Sequence, residues 1–222
     1  MAEFIFEGKQ IYYELHGGGR PLLLLNGIMM SCGSWAEFVE PLSAQNQLIL
    51  LDMLDQGRSA KMTEPYDHSV QIRLVHALLA HLRLAKVCRA GISYGSEIGL
   101  EYAIEHPERV ERLMLFNATA ATGAWLNDGG KAWNLAAGDG ESYYYASIPV
   151  IYSPSFFIEH NDWMERRREL LVPIFNNQAF IQSMIRLTNS SSNYDVRDRL
   201  DRVTCPVLIV SCQQDYLTPI EE

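Results

Sequence analysis

The sequence predicts an α/β domain built on a mostly parallel sheet, and three observations carry that prediction. Short unbroken apolar runs recur at Pro21–Leu25, Leu48–Leu51 and Val207–Val210, each of strand length and each suited to burial on both faces. Between them lie segments with helical apolar spacing, clearest over 69–84, where apolar residues fall at 70, 74, 75, 78, 79 and 82. Finally, Gly91-Ile92-Ser93-Tyr94-Gly95 joins the strand-like Lys86–Ala90 to the helix-like Ser96–Ala103. Alternation of this kind implies βαβ units with helices on both faces of the sheet.

The elements follow in order. Phe4 and Phe6, then Ile11, Tyr13 and Leu15, alternate around Glu7-Gly8-Lys9 and predict a hairpin. Gly17-Gly18-Gly19 breaks the chain before the leucine-rich strand, Ser34–Ser43 has helical character, and Gln47–Asp52 is a second buried strand. The helix over 69–84, a strand over 86–91, a helix over 95–105 and a strand over 110–116 come next. From Ala118 to Asn193 the rhythm changes. Aromatic residues crowd this stretch (Trp125, Trp133, Tyr143, Tyr144, Tyr145, Phe156, Phe157, Trp163), and Pro149, Pro154 and Pro173 are expected to cut it into short helices. The expected organisation is therefore a core of 1–117 and 194–222 interrupted by a helical lid over 118–193.

Composition narrows the function. A formal charge of −9 with a pI near 5.2 leaves no basic stripe to meet phosphates, which argues against a nucleic-acid partner. Arg166-Arg167-Arg168 sits between Glu165 and Glu169 and reads as a solvated helix face. The Leu22–Leu25 run is too short to span a bilayer, and Met1-Ala2-Glu3-Phe4 does not open a secretory signal. The four cysteines, Cys32, Cys88, Cys205 and Cys212, show neither metal spacing nor disulfide density, as expected of reduced thiols in a cytoplasmic protein. No phosphate loop or dinucleotide fingerprint is present, so no cofactor and no metal are expected.

The chemistry concentrates at the turn around Ser93. A serine between glycines at a sharp strand-to-helix turn has its hydroxyl exposed and the positive end of a helix beside it. Serine is a weak nucleophile at neutral pH, so it needs a base within hydrogen-bond reach, itself oriented by a carboxylate. Three further segments fall in order around this turn: Leu25-Asn26-Gly27-Ile28, Asp52-Met53-Leu54-Asp55-Gln56-Gly57-Arg58-Ser59 and Ser211–Pro219, which contains Asp215.

With these motifs the chain resembles the α/β-hydrolase family from about residue 3 onward. The resemblance implies that Ser93 is the nucleophile and Asp215 the acid, with the backbone N–H groups of Ile28 and Tyr94 forming the oxyanion hole. Asp215 has a bland alternative as a turn or capping residue, although Thr218-Pro219-Ile220-Glu221 already reads as a capping box. Asp52 is expected to hold its loop rather than act as the acid, and Asp55 to face solvent. Asn26 replaces the family's usual histidine, and Ser96 a second glycine.

The family's base is a histidine beyond the acid, and no histidine follows Asp215. Of the six present, His68 is expected in a capping or surface role before its helix, His76 and His81 to lie on that helix's surface, and only His160 could swing over Ser93. The expectation is that the final strand and helix are missing together with the base. The chain as given would then be impaired, with an exposed C-terminal strand edge open to self-association. The implied activity is hydrolysis of an ester-type acyl bond through an acyl-enzyme on Ser93, with a small apolar ester-like substrate under an aromatic lid. The alternative, from a different class, is a catalytically silent binding protein that keeps the fold and its pocket.

Overall fold

The computed structural model describes residues 2–220. Two strands, β1 (Ala2–Phe6) and β2 (Lys9–His16), form an antiparallel hairpin. Its turn places Glu7 and Gly8 at φ of 47° and 75°, the left-handed geometry that matches the twist of the flanking strands. Strands β3 (Arg20–Leu25), β4 (Asn46–Leu51), β5 (Val87–Ile92), β6 (Val110–Phe116) and β7 (Val207–Val210) complete a seven-stranded sheet in the order β1-β2-β4-β3-β5-β6-β7. The pairs from β4 to β7 are parallel, and β2 meets β4 antiparallel.

The leucine runs explain how the sheet is covered on both faces. Leu23, Leu25, Ile49 and Leu51 point into a core shared with helices α2 (His68–His81) and α3 (Tyr94–Glu105). Their alternate neighbours Leu22, Leu24, Leu48 and Leu50 pack with Cys88 and Ala90 against Trp35, Val39 and Leu42, the last two on α1 (Ala36–Ser43). Strands without a polar face cannot tolerate water on either side, so the crossovers must lie on both. The chain runs from β3 to β4 on one side and then returns to place β5 on the other. That switch opens a crevice at the carboxyl ends of β3 and β5.

Between β6 and β7 come five helices: α4 (Ala124–Ala136), α5 (Gly140–Ser147), α6 (Pro154–Glu159), α7 (Asn161–Phe175) and α8 (Gln178–Ser190). Pro149 and Pro154 open short helical pieces, as their missing N–H groups allow. Pro173 does not cut the chain as expected: it lies inside α7, in its last turn. The aromatic residues pack largely on one another, with Tyr143 edge-on to Phe175 at 5.0 Å and Tyr152 stacked on Phe156 at 5.4 Å. The two ends of the insert are tied together. Thr122 N donates to Tyr194 O at 2.8 Å and Val196 N to Ala120 O at 2.9 Å, around a bridge between Ala121 and Asp195.

Asp55 corrects the expectation of a solvent-facing residue. It is 1% exposed, at a φ of 66°, and accepts a bidentate pair from Arg186 of α8 (Nη2 at 2.6 Å, Nε at 3.0 Å). Met62 N also donates to it at 3.1 Å. At the far end of the sheet, β7 pairs with β6 alone among the described residues, and Leu208 and Ile209 are exposed.

The Asp55–Arg186 pair yields a stability prediction. Arg186→Ala should cost about 3 kcal/mol in urea denaturation, because it strands a buried carboxylate without its partner. Adding Asp55→Asn in the same chain should recover much of that loss. A cost below about 0.5 kcal/mol for the single change would mean that the pair behaves like an exposed one.

Candidate active site

Ser93 stands where β5 ends and α3 begins, with φ 50° and ψ −120°. A non-glycine residue held there stores about 1–3 kcal/mol of backbone strain, which the surroundings must overrule. They do so by close packing. A Cβ on Gly91 would stand 2.3 Å from Gly95 O, and one on Gly95 only 2.2 Å from Leu25 O. Neither position can carry a side chain while β3, β5 and α3 keep this approach. Ser93 N donates to Phe116 O at 2.9 Å, and Ser93 O accepts from Ser96 N and Glu97 N. Ser96, fully buried, donates to Gly91 O at 2.6 Å and accepts from Phe116 N at 3.1 Å, which pins the start of α3 to β5 and β6.

The loop after β3 is fixed by buried polar side chains. Asn26 donates to Leu51 O at 2.8 Å and Gln56 Oε1 at 3.2 Å, and accepts from Trp35 Nε1 at 2.7 Å. Gln56 donates in turn to Gly27 O at 2.9 Å. Asp52 supports the neighbouring loops, accepting from Cys32 N at 2.7 Å and Arg58 N at 2.8 Å. A Cβ on Gly57 would overlap that carboxylate. The backbone amides of Ile28 and Tyr94 donate to no described residue.

These parts meet at one cavity of about 170 Å³. Ile28, Ser93, Tyr94 and Leu217 line it from the sheet side, and Leu126, Asn127, Trp133, Thr188 and Asn189 from α4 and α8. Of the insert's aromatics only Trp133 borders it, and the lining surface is mostly apolar with a polar minority. Asp215 lies just behind Leu217. One oxygen accepts from Leu217 N at 2.8 Å and Thr218 N at 2.9 Å; the other accepts from Thr218 Oγ1 at 2.8 Å and Asn117 Nδ2 at 2.5 Å. Asp215 therefore holds its own turn in place. Glu221 of the expected capping box lies outside the described residues.

Among the described residues, no histidine borders the cavity. His160 packs on Phe156 with centroids 4.4 Å apart. His76, half-buried, bonds Tyr102 Oη at 3.1 Å, and His81, exposed as expected, bonds Tyr13 Oη at 3.1 Å. His68 departs further from expectation. It is buried edge-on to Tyr94 at 5.1 Å, with Nδ1 3.3 Å from Glu101 and Nε2 3.6 Å from Glu97. Glu97, four residues past Ser93 and lining the same cavity, went unremarked in the sequence. Its one readable signal is the i, i+4 spacing that sets it on the Ser93 side of α3. The described residues contain no cluster of His, Cys, Asp and Glu able to hold a metal, and no helix long and apolar enough to cross a membrane.

The family model for the alpha/beta hydrolase fold matches residues 20–222. The chain belongs to this family. "Putative carbamate hydrolase RutD" of Azorhizobium caulinodans is 30% identical over 212 residues, covering 94% of this chain and 78% of that relative. MGS-M2, an alpha/beta hydrolase enzyme from a Medee basin deep-sea metagenome library, superposes with a TM-score of 0.98 at 44% identity, covering 100% of this chain and 82% of that one. The enol-lactonase of Burkholderia xenovorans LB400 shares the fold at a TM-score of 0.80 and 20% identity, over 95% of this chain and 80% of its own. Hydrolysis is thus the class of activity for this α/β-hydrolase chain.

Burial lifts the Glu97 carboxyl above the ordinary glutamate range, and His68 opposes that only in part. Below the ordinary range, both folded and unfolded chains hold the proton. As pH rises, the unfolded chain ionises first, so stability falls until the raised folded value is passed. The stability advantage of Glu97→Gln over wild type should therefore grow as pH climbs from about 4 and then level off. Urea midpoints across pH test this; an advantage that shrinks with rising pH would show that the attraction of His68 outweighs desolvation and the repulsion of Glu101.

Proposed function

We propose that this α/β-hydrolase cleaves an ester-type acyl bond, ester, thioester or lactone, through an acyl-enzyme on Ser93. The observation that carries this reading is the strained Ser93 backbone at a helix start, beside a cavity also bordered by Ile28 and Tyr94. In this reading Ser93 Oγ attacks the carbonyl carbon, and the developing oxyanion takes hydrogen bonds from the Ile28 and Tyr94 amides. Donors of this kind contribute about 2.7–4 kcal/mol each to the transition state. Both are unengaged by described residues, as donors waiting for an oxyanion should be. The helical insert over 118–193 serves as the lid that screens the acyl-enzyme from bulk water.

The serine proton needs an acceptor. We assign Asp215 to orient that base, since the Asp215 turn adjoins Leu217 at the cavity wall. The relatives named as a carbamate hydrolase and an enol-lactonase act on carbonyl carbons bearing a heteroatom, in line with this substrate class. One observation favours the second reading, a silent binding protein: no described histidine borders the cavity. Without a base, what remains of the triad's acceleration is that of the oxyanion donors and of binding, a loss on the order of 10⁶ in turnover.

A fluorophosphonate probe separates the two readings. It should modify Ser93, located by peptide mass, and Ser93→Ala should remain unmodified. His160→Ala should label as fast as wild type. Labelling that persists in Ser93→Ala would refute the nucleophile; no labelling of wild type, with ligands still bound, would favour the silent protein.

A further inference from the structure

Glu97 is a buried charged group at the wall of the Ser93 cavity. It is 4% exposed, yet no described donor hydrogen-bonds it, and Oε2 is wholly buried without a partner. Its ion-pair neighbour, His68 Nε2, stands 3.6 Å away, beyond hydrogen-bond reach, and is itself unsatisfied. The other side of the His68 ring is engaged by Glu101, which also pairs with Arg199 at 3.3 Å. A buried carboxylate left in this state costs free energy that a ligand donor would recover. A carboxylate in the first turn of α3 also gains from the helix dipole, but that gain requires no burial and no cavity.

Position indicates what such a ligand looks like. Glu97 lines the cavity that Ser93 lines, and the two are one helical turn apart, roughly 6 Å along α3. Thr188 of α8 borders the same cavity, together with Asn127 and Asn189. A plain alkyl acyl group would fill this space and bring the Glu97 carboxylate no hydrogen-bond donor.

We infer that Glu97 is a specificity residue that selects substrates carrying a hydrogen-bond donor, a hydroxyl or an amino group, at the end of the acyl chain remote from the scissile carbonyl. The inference replaces the small apolar substrate expected from the sequence. It rests on the proposed role of Ser93 only for which end of the ligand reacts. Discrimination of this sort is strong, because a site built for a donor rejects the analogue lacking it, whose binding leaves the buried acceptor unpaired. The hydroxyl and amino forms share the donor and differ in charge, so Glu97→Gln, which keeps the acceptor and removes the charge, tells them apart.

The test uses three non-hydrolysable amides, hexanamide, 6-hydroxyhexanamide and 6-aminohexanamide, titrated by NMR against the 222-residue chain. The hydroxyl and amino amides should each bind at least tenfold more tightly than hexanamide. Glu97→Leu should bring the three Kd values to within about twofold, with hexanamide binding retained as evidence of an intact cavity. Glu97→Gln, nearly isosteric, should keep the hydroxyl preference and lose the amino preference. Equal wild-type affinities, an unchanged preference in Glu97→Leu, or an unchanged amino preference in Glu97→Gln would overturn the inference. Should Glu97→Leu fail to fold, the wild-type ratios and Glu97→Gln decide alone. None of these amides requires Ser93 to react, so failed fluorophosphonate labelling and failed donor selection are separate results.

Discussion

The architecture depends on one contact: the backbone of α3 at Gly95 lies against the carbonyl of Leu25 with no room for a side chain between them. Through it the end of β3, the end of β5 and the first turn of α3 become a single unit. Ser93 is then forced into its strained conformation, since β5 must turn into α3 within one residue. The Ile28 and Tyr94 amides inherit their positions from the same contact, one lying just after each strand. Loosening it by an ångström would relax the serine and separate the amides together, so strain and donor geometry are not independent features of this site.

A second layer holds that unit from behind. Asn26, Asp52 and Gln56 are all buried, and each satisfies backbone groups of a segment other than its own. Side chains of this kind are rigid because their alternatives are unpaired donors and acceptors in a dry interior. Asn26 supplies both donor and acceptor in its place, receiving the Trp35 indole while donating to Leu51. The amide's two-sided chemistry suits a junction where a strand end, a neighbouring strand and an aromatic anchor meet.

Much of this was legible in the sequence, and the exceptions share a cause. The leucine runs fixed two-sided burial, and the glycine pattern around Ser93 announced a steric demand, because both signals are local. Asp55 and Arg186 are separated by 131 positions, and no local pattern connects them. His68 looked like a helix-end residue because its partners Glu97 and Tyr94 belong to another helix. The aromatic count of the insert was visible, but which rings face the cavity depends on how five helices pack. Asp215 was legible as a loop carboxylate; the four hydrogen bonds it accepts depend on Asn117 reaching over from β6's end as well as on its own turn.

The short antiparallel tie between Ala120–Thr122 and Tyr194–Val196 brings the two ends of the helical insert side by side. The sheet therefore sees the insert as a small closed bracket, whatever the length of chain beyond it. Loop-closure entropy grows only as the logarithm of length, and here the tie sets the end-to-end distance in advance. Helices can be added to or removed from the bracket with little consequence for the order of β6 and β7. The module that shapes the cavity's ceiling is thus free to diversify, while the floor that carries Ser93 is held by contacts that admit no extra atom.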